Sequence, residues 1–485
     1  MNYSMIFNII GKVIAVEAAF LLPALGIAIG CGERSSVIGF AVAIAAMLVI
    51  GLPFAVKQPK KTDIFASEGL ITVGLAWMMV SILGALPFYV SGAIPNYIDC
   101  LFETVSGFTT TGASILSDVE SLPRSILYWR SFTHWLGGMG VLVFLLILNP
   151  LSKKNSGENM HLLRAESPGI KISKLVPRMK RSAGILYMIY IALTVLEFFF
   201  LWLGKMPLFD AVTLTLGTAG TGGFGVLNDS VASYSPYCQW VITAFMILFS
   251  VNFNVYFLLL LREVKKALKN EELWLFFGVV LTATLVISIN ISGMYSECGE
   301  TVRHAAFQVA SIISTAGFST ADFDLWPPLS RIILLLLMFS GACAGSTGGG
   351  LKVVRILLAA KTAKRAVRKA AHPNSVRLIH MDGEVVRDDT VHSIAVYILV
   401  YCMIMIVMLF VITLDGLDFE TNFTAVVSCL NNIGPGFRMV GPTMNYSCYS
   451  WLSKLALSLT MLIGRLEIYP ILILFVPSLW AKARR

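Results

Sequence analysis

The sequence reads Phe108-Thr109-Thr110-Thr111-Gly112-Ala113 where a short polar stretch separates two long apolar runs. Three later stretches resemble it: Ala219-Gly220-Thr221-Gly222-Gly223-Phe224, Ser314-Thr315-Ala316-Gly317-Phe318 and Leu430-Asn431-Asn432-Ile433-Gly434-Pro435-Gly436-Phe437. Each contains a small polar residue, a variable residue and then glycine. Aligned on Gly112, Gly223, Gly317 and Gly434, the stretches are 111, 94 and 117 residues apart, which indicates an internal repeat.

Each of the four stretches lies inside a predicted helix–loop–helix unit. Long apolar helices are predicted in pairs at 66–92 and 125–149, 182–204 and 238–262, 272–294 and 329–359, and 391–414 and 451–480. Within each pair, a short helix is predicted before the glycine, at 98–106, 208–216, 302–313 and 422–430. Together with two N-terminal helices at 6–30 and 36–56, these pairs predict ten membrane crossings.

The composition is that of a helical membrane protein. The 485 residues are 56% hydrophobic and 13% charged, with a mean hydropathy of +0.77. A β-barrel would instead show short alternating segments. The predicted fold class is an all-α polytopic membrane protein with four pseudo-fourfold helix–pore loop–helix repeats, as in potassium channels, plus two extra N-terminal helices. Its predicted parts are the N-terminal helices at 1–62, repeat one at 63–155, repeat two at 156–270, repeat three at 271–389, with a broken second helix, and repeat four at 390–485.

The distribution of charge predicts the topology. A net charge of +9 is compatible with nucleic-acid binding, but the basic clusters lie in alternate loops at the ends of apolar runs, which is the positive-inside pattern. They occupy 57–61, 171–181, 262–269, 352–369 and 482–485. We therefore expect contacts with membrane lipid, no nucleic-acid partner, and both termini on the cytoplasmic side. Acidic residues on the opposite side form either an ordinary solvated face or a vestibule that concentrates cations.

Glycine in the four stretches predicts a cation site made of backbone. Irregular backbone at membrane depth is tolerated where it is buried in protein or lines a watery cavity, and glycine permits the angles that turn carbonyl groups toward an axis. Four such strands would provide rings of carbonyl oxygens that replace the hydration shell of a cation. The candidate ligands are the carbonyl groups of Thr110, Thr111, Thr221, Gly222, Thr315, Ala316, Asn432 and Ile433.

Repeat two allows a second register, in which the stretch would be Gly217-Thr218-Ala219-Gly220. The later register is preferred because Thr221-Gly222-Gly223-Phe224 matches Thr315-Ala316-Gly317-Phe318.

These residues resemble the TrkH family of the Trk/Ktr/HKT superfamily of potassium transporters, over essentially the whole chain. The resemblance implies potassium uptake across the bacterial plasma (inner) membrane through a selective, gated, channel-like pore. Glycine at position 112 implies a preference for potassium, because family members that favour sodium can have serine there. The implied selectivity filter contains Thr110, Thr111, Gly112, Gly220, Thr221, Gly222, Gly223, Thr315, Ala316, Gly317, Asn432, Ile433 and Gly434.

The second helix of repeat three contains the glycine-rich segment Gly341-Ala342-Cys343-Ala344-Gly345-Ser346-Thr347-Gly348-Gly349-Gly350. Each glycine costs a helix about 1 kcal/mol relative to alanine, so the segment is predicted to be unwound. It departs from the G-x-x-x-x-G-K-[ST] pattern of phosphate-binding loops, and a kink between packed helices is the plainer alternative. The resemblance implies a movable loop below the filter, with Gly345, Ser346, Thr347, Gly348, Gly349 and Gly350 as gate residues.

Arg465 lies inside the last apolar run, where an ionised side chain is expensive and indicates a functional site. The alternatives are snorkelling and an ion pair with Glu467, although residues two apart do not face each other on a helix. The resemblance implies that this arginine lines the cavity near the glycine-rich loop. We therefore expect Arg465 to be an electrostatic barrier and a partner of the gate.

The resemblance also implies partners. These are a second copy of the chain, in a homodimer with one pore in each protomer, and a separate cytosolic TrkA-like ring that binds nucleotide. No cofactor is expected in this chain, potassium being the transported ion. A sodium- or proton-coupled symporter is the alternative function, but it would show paired broken helices in two inverted halves, whereas one broken helix is predicted here. An enzyme is not expected, because no catalytic grouping of residues is found.

Overall fold

The computed structural model describes residues 1–59, 65–140, 179–374 and 377–478, and these are almost entirely helical. Among them the strands are His380–Met381 and Glu384–Val385, which pair as a short antiparallel hairpin. The basic cluster at 482–485, most of the cluster at 171–181 and the end of the helix predicted at 125–149 lie outside the described residues.

The N-terminal part contains the two predicted helical spans, although the first of them is divided. It runs as Tyr3–Phe20 and Leu22–Gly30, with a proline at the start of the second piece, and is followed by Arg34–Val56. A Cβ atom on Gly11 would lie 2.7 Å from the carbonyl oxygen of Gly51. The two spans therefore approach through small residues, as helices in membranes commonly do.

Each of the four repeats has a first helix, a short pore helix and a second helix. The first helices are Ala66–Gly84 with the extension Leu86–Val90, Met179–Leu203, Glu271–Asn290 and Asp388–Ile412. The pore helices are Tyr97–Phe108, Leu208–Gly220, Cys298–Ile313 and Phe419–Asn431. They lie where the short helices were predicted, and each is longer than predicted by several residues.

The second helices are interrupted more often than the sequence predicted. They are Arg124–Met139; Pro236–Ser250 and Phe253–Leu260; Pro328–Ser340 and Val353–Ala371; and Trp451–Arg465 and Tyr469–Leu472. The prediction of continuous second helices in repeats two and four was wrong. In repeat two, Asn252 caps a new helix and the two pieces meet at 86°. In repeat four, Glu467 and Ile468 have φ values of 55° and 74°.

These interruptions change the count of spans. Within the described ranges, six helical spans are long and apolar enough to cross a membrane, or seven if the bent pair in repeat two is counted as one span. The expected ten crossings counted every second helix as one crossing, including the broken one of repeat three. Among the described residues, the second helices of the other repeats consist of pieces that are too short to cross a membrane or, in Val353–Ala371, too polar.

The repeats close into a ring. Each pore helix packs against the second helix of the preceding repeat: pore helix two on Arg124–Met139, pore helix three on Pro236–Ser250, pore helix four on Pro328–Ser340, and pore helix one on Trp451–Arg465. The last of these contacts joins the end of the chain to its first repeat. Four repeats therefore surround one axis, and the predicted fold class is confirmed.

Candidate functional site

All four pore helices end in the same backbone turn. One residue just after each helix has a left-handed conformation. It is the second residue after the helix in repeats one and three, Thr110 and Thr315, with φ values of 54° and 61°. It is the first residue after the helix in repeats two and four, Thr221 and Asn432, both with a φ value of 55°. The next N–H donates to the carbonyl five residues back, at 2.8 Å (Thr111 to Ser106), 2.9 Å (Gly222 to Gly217), 2.9 Å (Ala316 to Ser311) and 3.0 Å (Ile433 to Ser428). This is a Schellman motif, in which glycine is usual at the left-handed position. A left-handed residue with a side chain costs about 1–2 kcal/mol, so its recurrence in all four repeats indicates a functional constraint.

A glycine follows two residues after each of these positions, and it too has positive φ. The values are 78° at Gly112, 79° at Gly223, 79° at Gly317 and 102° at Gly434. A Cβ atom on each glycine would meet a carbonyl oxygen of the next repeat: Gly112 on Gly222 at 2.0 Å, Gly223 on Ala316 at 2.0 Å, Gly317 on Ile433 at 2.1 Å, and Gly434 on Thr111 at 2.7 Å. The segments 110–112, 221–223, 315–317 and 432–434 are called the filter strands, or simply the strands. Because the neighbours of these glycines are backbone atoms, a side chain would have to displace one of these strands.

The glycine contacts run in cyclic order through repeats one, two, three and four and back to one. The carbonyl groups of Thr111, Gly222, Ala316 and Ile433 therefore form one layer of four oxygens held between neighbouring strands. The C-terminal ends of the four pore helices, which carry partial negative charge, lead into the same strands. Carbonyl layers of this kind can replace the hydration shell of a cation.

Repeat two adopts the later of its two possible registers. Gly223 has the positive φ that corresponds to Gly112, whereas Gly220 is the last residue of pore helix two. The assignment of Gly220 to the strand was therefore wrong, because the helix continues four residues beyond its predicted end at 216.

Side chains join the first strand to the last. The Asn432 side-chain amide donates to the Thr111 hydroxyl at 3.0 Å and to the carbonyl oxygen of Met461 at 2.9 Å. The hydroxyl oxygens of Thr109 and Thr111 are 2.7 Å apart. These hydrogen bonds close the ring between repeats four and one, which are furthest apart in the sequence.

A buried ion pair supports the strands from outside. Arg130 of the second helix in repeat one lies 2.7 Å from the Glu103 carboxylate of pore helix one, and both side chains are almost fully buried. The Arg130 guanidinium also lies 4.1 Å from the ring centroid of Phe224, the residue after Gly223. Glu103 accepts further hydrogen bonds from the Ser114 hydroxyl and the Ile115 N–H. The pair therefore connects the first and second strands on their outer side.

A second arginine repeats this arrangement half-way round the ring. Arg331 of the second helix in repeat three pairs with Glu420 at the start of pore helix four. Its guanidinium lies 5.0 Å from the ring centroid of Phe437, which follows the fourth strand. Glu103, Arg130 and Arg331 were not predicted from the sequence as parts of the site. The signal that could have found them is an ionisable residue within or beside an apolar helix.

The glycine-rich segment is non-helical and lies against the inner ends of two strands. The N–H of Gly349 donates to the Thr315 hydroxyl at 2.7 Å. A Cβ atom on Gly349 would lie 2.5 Å from the carbonyl oxygen of Asn431, and one on Gly348 would lie 2.7 Å from that of Ser314. This close approach requires residues without side chains at 348 and 349.

The same segment packs against the break in the second helix of repeat two. The N–H of Phe253 donates to the carbonyl oxygen of Gly345 at 3.0 Å, and the Thr347 hydroxyl donates to that of Phe249 at 3.2 Å. The Ser346 hydroxyl turns back to the carbonyl oxygen of Cys343 at 2.6 Å. Gly350, with a φ of 80°, ends the segment against Gly341. All six candidate gate residues of the loop thus belong to one segment between the filter and repeat two.

Arg465 connects this segment to repeat one. Its guanidinium donates to the carbonyl oxygen of Thr347 at 2.7 Å and to those of Gly137 and Gly138 at 2.5 and 2.9 Å. Glu467 forms its ion pair with Arg355 instead. Glu467 is therefore not the ion-pair partner of Arg465. The arginine instead bridges three backbone carbonyl groups that belong to two repeats.

Acidic residues in the first turns of the pore helices and in the loops after them are largely used in local structure. Asp99 pairs with Lys454 at 2.6 Å, and Asp210 accepts from the Tyr234 hydroxyl at 2.9 Å. The hydrogen bond from the Asn228 side chain lowers the pKa of the exposed Asp118, which therefore stays charged at neutral pH. An ordinary solvated face and a cation-attracting vestibule both remain compatible with these contacts.

Comparison with known proteins agrees with this geometry. The family model described as "Cation transport protein", TrkH, matches residues 34–297 and 273–482. The chain is 35% identical to the Trk system potassium uptake protein TrkH of Salmonella typhimurium, with 99% of this chain and 100% of that one covered, and 31% identical to TrkH of Halomonas elongata, with the same coverage. The crystal structure of the potassium transporter TrkH from Vibrio parahaemolyticus superimposes with a TM-score of 0.88 at 29% identity, over 99% of this chain and 100% of that one. The chain therefore belongs to the TrkH family of cation transport proteins, as its resemblance predicted.

Proposed function

We propose that the chain is the ion-conducting subunit of a Trk potassium-uptake system. The single observation that carries this proposal is the closed ring of four glycine-bearing strands, in which each glycine meets a carbonyl group of the next repeat. Potassium as the ion is supported by the relatives, which are named Trk system potassium uptake proteins. The chain would form its filter from one polypeptide, with potassium bound by the carbonyl groups of residues 110–111, 221–222, 315–316 and 432–433.

The gate is proposed to be the glycine-rich segment together with Arg465. Residues 348 and 349 lie against the inner ends of the third and fourth strands, and Arg465 ties the carbonyl oxygen of Thr347 to repeat one. A guanidinium beneath the strands would also repel a cation that leaves the filter. Opening would require the segment to release these contacts, and its glycines at 345 and 350 suit a hinge.

The proposed setting is the bacterial plasma membrane, with both termini on the cytoplasmic side. The basic clusters at 262–269 and 352–369 support this orientation, because positive residues favour cytoplasmic loops. A homodimer and a separate nucleotide-binding ring remain part of the proposal on family resemblance. Channel-like conduction is preferred to coupled symport, because the four glycine-bearing strands close into one fourfold ring, whereas a symporter would be built from two inverted halves.

Flux measurements test the proposed function. The full-length protein is reconstituted in liposomes, and uptake of potassium, rubidium and sodium is compared with that of empty liposomes. We expect potassium and rubidium to enter faster than sodium without any requirement for a sodium or proton gradient. Equal uptake of all three ions, or uptake that depends on such a gradient, would contradict the proposal.

A further inference from the structure

A buried carboxylate holds both ends of the glycine-rich segment. Glu272 lies in the first turn of the first helix of repeat three and is 2% exposed. Its Oε1 atom accepts hydrogen bonds from the N–H of Ala344 at 2.7 Å and from the N–H of Val354 at 3.2 Å. Ala344 precedes the six candidate gate residues and Val354 follows them. One oxygen atom therefore draws together the two ends of the loop that lies beneath the filter.

Apart from the backbone bond from the N–H of Val353 to the carbonyl oxygen of Ala342 at 3.2 Å and the bond from the N–H of Cys343 to that of Ser250 at 3.1 Å, the other contacts of the loop act on its middle. Arg465 holds the carbonyl oxygen of Thr347, and the Thr315 hydroxyl accepts from the N–H of Gly349. The Lys352 ammonium donates to the carbonyl oxygen of Gly348 from within the loop. These bonds determine where the loop lies against the strands. The two bonds to Glu272, together with the backbone bond from Val353 to Ala342, hold the ends of the segment close and keep it folded back.

Releasing the loop would leave the carboxylate in an unfavourable environment. A buried side-chain oxygen that loses its hydrogen-bond donors is left unsatisfied, which is costly. If the loop swings away or extends, the N–H groups of Ala344 and Val354 separate and Glu272 cannot bond to both. The residue therefore favours the folded-back conformation over any conformation in which the ends part.

We propose that Glu272 is a positioning residue of the gate, which holds the glycine-rich loop in the conformation that obstructs the pore. The inference rests on the proposed function, in which this loop is the gate. It adds the first helix of repeat three to the supports of the loop. Because a single oxygen accepts both bonds, the geometry of that oxygen matters more than the charge of the side chain.

Two substitutions separate geometry from charge. Glu272→Gln keeps an oxygen at the same distance from the backbone but loses the charge, whereas Glu272→Asp keeps the charge on a side chain one methylene shorter. The matched control is Glu271→Gln, since the Glu271 carboxylate bonds instead to the Lys361 ammonium and to the N–H of Asp382. In full-length protein in liposomes, we expect Glu272→Asp to raise potassium flux about tenfold. Glu272→Gln and Glu271→Gln should stay within about twofold of the unaltered protein.

Modification of Cys343 gives a second readout, which does not depend on conduction. This thiol is buried beside Ala344, so its reaction with a methanethiosulfonate reagent reports whether the loop has left its site. In a chain that keeps only this cysteine, Glu272→Asp should speed the reaction and Glu272→Gln should not. Because a misfolded variant would also react fast at Cys343, each variant must first be shown to be monodisperse in detergent.

The outcomes separate this inference from the proposed function. If Arg465→Ala raises flux while Glu272→Asp changes neither flux nor Cys343 modification, the gate stands and the role of Glu272 is wrong. Opening by Glu272→Gln but not by Glu272→Asp would also overturn it, because charge rather than the position of the oxygen would then control the loop. If no variant raises flux although potassium is conducted, the loop is not the gate. The gate assignment and the role of Glu272 then both fail, while the proposed potassium conduction stands.

Discussion

At the scale of single residues, the four filter glycines lead to the most direct prediction. Serine at position 112 would introduce a side chain next to the carbonyl oxygen of Gly222, where a Cβ atom alone would lie at 2.0 Å. The strand must shift, and the carbonyl layer loses its spacing. We expect Gly112→Ser to reduce the preference for potassium over sodium about tenfold, equivalent to about 1.4 kcal/mol. The measurement is the ratio of ion fluxes in liposomes.

A matched control for this substitution is Gly278→Ser. Gly278 lies in the first helix of repeat three, and a Cβ atom there would have no neighbour within 4 Å among the described residues. This control should leave the flux ratio unchanged. An unaltered ratio in Gly112→Ser itself would remove that glycine from the filter.

Arg465 is the second residue whose substitution has a defined direction. Its removal breaks the hydrogen bonds to Thr347, Gly137 and Gly138 and takes away a positive charge beneath the strands. We expect Arg465→Ala to increase potassium flux. Arg465→Lys should give a smaller increase, because an ammonium keeps the charge but lacks the planar fork that reaches several carbonyl groups. Unchanged or lower flux at normal expression would argue against a barrier at this position.

The pair of Glu103 and Arg130 should contribute mainly to stability. Removing one partner of a buried ion pair costs about 3–5 kcal/mol, because the other charge is left uncompensated. We therefore expect Arg130→Met to lower the thermal unfolding midpoint in detergent markedly. The double variant Arg130→Met, Glu103→Gln should recover much of that loss, because no buried charge is left. A similar midpoint for the single and double variants would show that the pair is not responsible.

At the scale of elements, the glycine-rich loop and the strands form a tightly fitted contact. A methyl group on Gly349 would lie 2.5 Å from the carbonyl oxygen of Asn431, so the loop could not keep its place against the strands. We expect Gly349→Ala to raise potassium flux several-fold while the preference over sodium is retained, since the strands themselves are unchanged. Gly293→Ala, where a Cβ atom has no described neighbour within 4 Å, is the control. Loss of ion preference together with increased flux would assign the loop to the filter instead.

The pore helices and their strands were predictable because their signals are local and repeated. A short amphipathic helix, a small polar residue and a glycine occur four times, and each repeat supports the reading of the others. The breaks in repeats two and four were not predictable in the same way. Asn252 and Asn254 follow Val251, and Arg465 and Glu467 precede Ile468, but two polar residues within a long apolar run do not by themselves predict that a helix ends there. Pro470 was the available signal in repeat four.

The hydrogen bonds that hold the loop in place could also not be predicted from the sequence. In the sequence, Glu272 is an ordinary acidic residue in the first turn of a helix, where its charge would interact favourably with the helix dipole. Its bonds to Ala344 and Val354 depend on how repeat three folds back on itself, and these residues are about 70–80 positions away in sequence. Charge and spacing alone could not have brought them together.

At the scale of the whole molecule, the four repeats contribute equally to the ring of strands but unequally to the proposed gate. The strands show the same Schellman turn and the same glycine conformation in every repeat. The gate combines the loop of repeat three, Arg465 of repeat four and the carbonyl groups of Gly137 and Gly138 in repeat one. A single chain can support this asymmetry, whereas four identical subunits would repeat one gate four times.

The central claim is that the four glycine-bearing strands bind potassium on their common axis. The most direct measurement is a crystal structure of the full-length protein grown in rubidium, with anomalous diffraction recorded at the rubidium edge. The account predicts an anomalous peak on the axis, enclosed by the carbonyl oxygens of Thr111, Gly222, Ala316 and Ile433. An anomalous peak elsewhere in the protein, with none enclosed by these four oxygens, would contradict it.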